Sequence, residues 1–168
     1  MTERRYDMEK NCMIKIDPVG IAVLFPYTDW TSIQKCVGGP AQICGRLPAD
    51  DDSDGFPYSI YCNEEFLFND ECAFNPVASI ISERPIYGNA AVLCDGYDAE
   101  GEYDSLPMTE EHASRIMCFI NLMTEQDSTQ DIIAELRRRY EHEKPAPQYE
   151  VRALNSIDDL KALFGVEE

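Results

Sequence analysis

A chain of 168 residues with 44% apolar side chains is long enough to bury a core. It has no run of about 18 apolar residues and so no candidate membrane-spanning helix. A net charge of −18 opposes direct contact with nucleic acid or an anionic membrane. That charge is concentrated: residues 48–111 hold sixteen acids and one base, Arg84.

Residues 1–16 are charged and lack the apolar centre of a signal peptide, which predicts a cytoplasmic protein. In that compartment the seven cysteines are expected as reduced, mostly buried thiols, since none forms a Cys-x-x-Cys pair.

Met13–Ile16 and Gly20–Phe25 read as two antiparallel strands turning at Asp17-Pro18. Thr28 or Asp29 can cap a short helix through Trp30, Ile33 and Val37 that stops at Gly38-Gly39. Ala41–Leu47 and Pro57–Cys62 read as paired strands, with the acidic stretch 49–55 as the loop between them. Asn63-Glu64-Glu65 is a turn signal, and Phe66–Phe68 is expected as a short strand. Asn75-Pro76 opens a helix with Asn as cap and Pro at its first position. The apolar run at 86–96 predicts a strand inside the sheet, followed by a second acidic loop, "YDAEGEYDSLP".

Helical spacing takes over at Thr109, an N-cap followed by Glu110 and Glu111. Ala113, Ile116, Met117, Ile120 and Met123 form one apolar stripe. A second helix is expected from Ser128, with Asp131 three residues on and Ile132, Ile133, Leu136 and Tyr140 buried. A stiff linker at 144–148, an edge strand at 149–154 and a short helix at Ser156–Phe164 complete the reading. The predicted fold is α+β: a domain at 12–108 with a small mixed or antiparallel sheet, short helices and acidic loops, then a helical extension at 109–168.

"DDDSDG" at 50–55 has the spacing that opens an EF-hand loop, with oxygens at positions 1, 3 and 5 and Gly at 6. Position 12 is Tyr61 rather than a bidentate Glu, position 8 is Pro57, and the flanks read as strands. The stretch is therefore a turn, and no metal is expected there. His112 and His142 lie on different helices without a cysteine at ligand spacing, so zinc is not expected either. Cys118 stands six residues from His112, on another helical face, and no nucleophile elbow or phosphate-binding loop occurs. No catalytic residue and no cofactor are predicted. Arg137-Arg138-Arg139 sits in the last turns of a helix beside Glu135, Glu141 and Glu143, which predicts internal pairing rather than phosphate binding.

"IQKCVGG" at 33–39, "YCNEEF" at 61–66, "FNPVAS" at 74–79 and "IYGNAAVL" at 86–93 occur in an order that resembles a domain family of unknown function from phages, plasmids and integrated elements. Its members read Leu-Gln-x-x-Val-Gly-Gly, then Asn-Glu on a strand, then Leu-Pro-x-Asn before a helix, then Ile-x-Gly and an apolar strand. The resemblance covers roughly 20–108 and departs from the family at Ala41-Gln42-Ile43, where members often carry Tyr-Ile-Glu. It implies a small protein of a mobile element made inside a bacterial cell.

That context and the charge together predict an acidic inhibitory binding protein of antirestriction or anti-CRISPR type. The expected partner is a basic nucleic-acid-binding protein such as Cas9 with its guide RNA. Asp50, Asp51, Asp52, Asp54, Glu64, Glu65, Asp98, Glu100, Glu102 and Asp104 are the expected contact residues. An adaptor of the element's own replication or transfer machinery is the alternative, favoured if α-helical positions in 109–140 expose apolar side chains. A cryptic enzyme using a cysteine or a carboxylate pair is the third reading.

Overall fold

A computed structural model describes residues 11–141. The expectations for 144–164, and His142, lie outside the described residues.

Strand β1 (Cys12–Ile16) pairs antiparallel with β2 (Ala22–Pro26). The Asp17 carboxylate holds the turn by accepting the Gly20 and Ile21 N–H groups. Helix α1 (Trp30–Val37) follows, with a capping box between Asp29 and Ser32 and a left-handed Gly38 at its end. β3 (Ala41–Leu47) and β4 (Tyr58–Asn63) pair antiparallel as expected, with an irregularity between Ile43 and Gly45. Helix α2 (Pro76–Ser82) is capped by Asn75, which accepts from the Ala78 N–H. β5 (Ala90–Tyr97) and β6 (Tyr103–Leu106) form a hairpin, and α3 (Glu110–Glu125) and α4 (Asp127–Tyr140) follow.

The six strands run in the order β2-β1-β5-β4-β3, with β6 also on β5. β1 pairs with residues 90–92 of β5 and β6 with residues 94–97, so the two share one flank of β5 end to end, joined at the Cys12–Met108 bridge. Every pairing is antiparallel, and the α+β expectation holds. β5 is central because Ala90–Leu93 are wholly buried, which suits a strand covered on both faces.

Helices lie on both faces. Ile14, Ile16, Ile60 and Val92 point to one side and meet Val77 and Ala78 of α2, Ala113, Ile116 and Ile120 of α3, and Ile133 of α4. Met13, Tyr61, Ala91 and Leu93 point to the other and meet Ile33, Cys36 and Val37 of α1. Alternate β5 residues thus serve different layers, as strand geometry requires. The residues after 108 share the sheet's main core, so the boundary drawn at 108/109 marks a change from strand to helix within that core. None of the seven cysteines is in a disulfide.

Four local expectations are corrected. Phe66–Phe68 is a turn, because Phe66 folds inward to stack on Tyr87 and its N–H bonds back to the Asn63 carbonyl. β5 begins at Ala90 rather than at 86, since Gly88 is left-handed (φ 82°) and breaks the extended run. The second acidic loop is a hairpin whose distal half is β6. Finally, α4 begins at Asp127 with Gln126 as a cap that makes no side-chain bond, while Ile132 is 49% exposed and only Ile133 of its expected apolar set is fully buried.

Candidate functional site

The loop between β3 and β4 folds on its own side chains. Asp50 N–H donates to the Ser53 hydroxyl, which donates back to the Asp50 carbonyl, and Asp52 N–H donates to the Asp50 carboxylate. Asp54 (φ 51°) and Gly55 (φ 85°) both take left-handed backbone to turn the chain into β4; Gly does so without cost and Asp tolerates it.

Two of the loop's acids, though exposed, have partners within the fold. Tyr58 Oη donates to Asp50 Oδ1 at 2.6 Å and also lies 2.8 Å from His112 Nε2. With the Tyr58 hydroxyl proton directed at Asp50, His112 Nε2–H is the donor in the second bond. Burial, and then the adjacent Asp50, push the Tyr58 hydroxyl well above its ordinary range. Asp52 pairs with Arg115 at 2.6 Å, and Arg115 also holds Glu111 at 2.6 Å, so its own pKa is raised by Glu111 and Asp52. These contacts tie the loop to α3. Asp51 and Asp54 are exposed and have no side-chain partner among the described residues.

The β5–β6 turn is built on Asp98, whose carboxylate accepts the N–H groups of Glu100 at 3.0 Å and Glu102 at 2.8 Å. An aspartate that closes its own turn this way needs no external partner. Glu100, Glu102 and Asp104 are left exposed.

Phe56 joins the two acidic segments. Its ring lies 5.7 Å from Tyr97 edge to face and 6.1 Å from Tyr103, and Tyr97 and Tyr103 are 5.6 Å apart. Tyr97 is 63% and Tyr103 52% exposed, so the cluster is open to solvent. Beneath it lies the buried Asp95, which accepts from Ser59 at 2.7 Å, Ser105 at 2.8 Å and Tyr103 at 3.1 Å, with Arg46 Nε at 3.9 Å. A buried carboxylate with three hydroxyl donors and a guanidinium nearby is fully satisfied, so it fixes β4, β5 and β6 together.

The sequence-predicted residues therefore divide. Asp51, Asp54, Asp98, Glu100, Glu102 and Asp104 converge at one end of the sheet, while Asp50 and Asp52 serve as the loop's internal braces. Glu64 and Glu65 follow the other end of β4, about 20 Å away at 3.3 Å per residue, and do not join them. Sequence reasoning missed Phe56, Tyr97, Tyr103 and Tyr58, and it set His112 aside without seeing its contact with Tyr58. Three aromatics flanking two acidic turns was the signal available for the first three.

Two cavities flank the loop. One of about 260 Å³ lies against α3, lined by Leu47, Pro48, Tyr58, Arg115, Ile116 and Phe119 among others. The other, about 300 Å³, opens between the loop, the β5–β6 hairpin and the start of α3, with Asp52, Asp54, Phe56, Tyr97 and His112 among its walls. Among the described residues, no three His, Cys, Asp or Glu side chains are grouped to hold a metal ion, and no helix is long and apolar enough to cross a membrane. The basic run is internally paired: Arg138 and Arg139 both hold Glu135 at 2.8 Å, pulling its carboxyl down to about 2, and Arg137 lies 3.7 Å from Glu141.

Compared with protein-family models, with curated proteins and with solved structures, the chain matches none. The class that fold and site define is an α+β protein with an acidic, aromatic-studded sheet end.

Proposed function

We propose that this chain is a non-enzymatic inhibitory binding protein of a bacterial mobile element, and that the acidic end of its sheet occupies a basic nucleic-acid-binding surface. The observation that carries the reading is the convergence of the two acidic segments on one surface, held together through Phe56. Six carboxylates on one side of a small protein compete for the Lys and Arg rows that hold a phosphate backbone, and they do so in a salt-sensitive way. An RNA-guided nuclease of the Cas9 type, with its PAM-reading arginines and basic channel, is the target class proposed. The partnered acids Asp50 and Asp52 suit this role, since the Tyr58 and Arg115 contacts hold the loop before binding and so reduce the ordering cost of association.

A second reading rests on a different surface. Phe119 (59% exposed), Leu122 and Ile132 stand out from α3 and α4, as an adaptor docking through its helices requires. Plaque counts in bacteria expressing the chain separate the two. The inhibitor reading expects more phage plaques only where an active Cas9 or restriction system is present. Unchanged counts in every background favour the adaptor.

A further inference from the structure

Helix α1 covers only part of its face of the sheet. The remainder, at the acidic end, carries Tyr97 (63% exposed) and Tyr103 (52% exposed). This is an open sheet face whose rim is Asp54, Glu100, Glu102 and Asp104, and on which Arg46 lies beside Asp95.

The geometry points to this face as a docking surface for arginine side chains of a basic protein segment, in preference to lysine. The inference rests on the acidic end being the contact surface, and it names the residue type that surface selects. Charge complementarity fixes the sign of the occupant, and the rings fix its shape. A guanidinium is planar, weakly hydrated and stacks on aromatic faces while its N–H fork pairs with carboxylates; an ammonium is a compact, strongly hydrated charge that gains less from a ring. Here ring and carboxylate are neighbours. Tyr97 and Tyr103 end and begin the strands that flank the turn bearing Glu100 and Glu102, and Phe56 stands two residues after Asp54. Arg46 shows how a guanidinium lies on this face: it is exposed and approaches the Asp95 carboxylate at the edge of the ring cluster. It also means that incoming arginines are directed to the outer rim rather than to Asp95. Tyrosine and arginine are the residues that concentrate binding energy at protein interfaces, and both sides of this contact would supply one.

Decaarginine and decalysine peptides, titrated into the full chain at low salt with NMR detection, test the proposal. Decaarginine is expected to bind at least about threefold more tightly, the range of an exposed cation–π contact, and to shift the Tyr97 and Tyr103 signals. Tyr97→Leu leaves the Tyr103–Asp95 bond in place and should bring the two peptides to equal affinity, whereas Tyr97→Trp should widen the gap. Asp54→Asn/Glu100→Gln/Glu102→Gln should weaken both peptides together. Equal binding by the unaltered chain overturns the proposal, as do shifts centred away from the two tyrosines. Signals that respond only after residues 1–10 are removed would assign the face to the chain's own Arg4 and Arg5, and concentration-dependent self-association without peptide binding would assign it to a second copy; either result overturns it. Because no nuclease enters these titrations, a chain that fails to inhibit Cas9 leaves their outcome standing.

Discussion

The Tyr58 hydroxyl donates a 2.6 Å hydrogen bond to the Asp50 carboxylate across the base of the acidic loop. One of the loop's four aspartates is therefore a structural brace, and its donor also contacts α3 through His112.

Tyr58→Phe should loosen the loop without unfolding the sheet. Hydrogen bonds to charged groups contribute about 1.5–3 kcal/mol, and the exposed position of Asp50 places the expected loss near the lower end. Chemical denaturation should register that loss, and amide exchange should quicken at residues 50–55 while β4 and β5 stay protected.

Asn75→Ala should be far more damaging. Asn75 is fully buried, caps α2 through the Ala78 N–H, and donates to the Ile16 carbonyl at 3.0 Å and the Gly88 carbonyl at 2.8 Å. Losing a cap and leaving two buried acceptors without donors is expected to cost about 3 kcal/mol or more. Thermal unfolding of the variant, which should begin well below that of the unaltered chain, checks this.

Gly45→Ala tests the approach of α2 to β3. An added Cβ would stand 2.8 Å from the Ser82 Cα, a backbone atom that cannot move aside without shifting the helix. Overpacking of this kind costs about 1–3 kcal/mol, read as a lowered denaturation midpoint. An unchanged midpoint would mean that α2 lies farther from the strand.

At alkaline pH the chain should lose stability through buried thiol and phenol groups. Burial raises the Cys36 thiol from 9.0 to about 12 and the Tyr87 hydroxyl from 10.0 to about 12. Both groups keep their protons in the folded state longer than in the unfolded one. Their contribution is therefore complete below pH 9 and is lost as pH rises from there to about 12. Denaturation midpoints measured across that window should fall steadily, and Cys36→Ser should make the fall shallower without moving its onset, because the Cys12 thiol, by burial, and the Cys62 thiol, by its Cys44 contact and burial, are raised from 9.0 as well.

Much of the fold was legible in the chain because its punctuation is local. Asp29, Gly38-Gly39, Asn75-Pro76 and Thr109 each mark a boundary through their own backbone chemistry, and the structure uses all four. The Phe66–Phe68 turn and the late start of β5 were not legible, since stacking of Phe66 on Tyr87 and the left-handed Gly88 depend on the assembled core. The candidate site was half legible. Composition located the two acidic turns, but nothing local says that Asp50 faces Tyr58 or that Arg115 faces Asp52, 63 residues away. The separation of Glu64 and Glu65 from the other acids likewise follows only from the direction of β4.

The most direct test of the account is competition between this chain and target DNA for purified Cas9 bound to its guide RNA. The unaltered chain should displace the DNA, with an apparent affinity that falls steeply as salt rises. A folded variant with Asp51, Asp54, Asp98, Glu100, Glu102 and Asp104 changed to their amides should displace none. Displacement by that variant as strong as by the unaltered chain would contradict the assignment of the acidic sheet end as the contact surface.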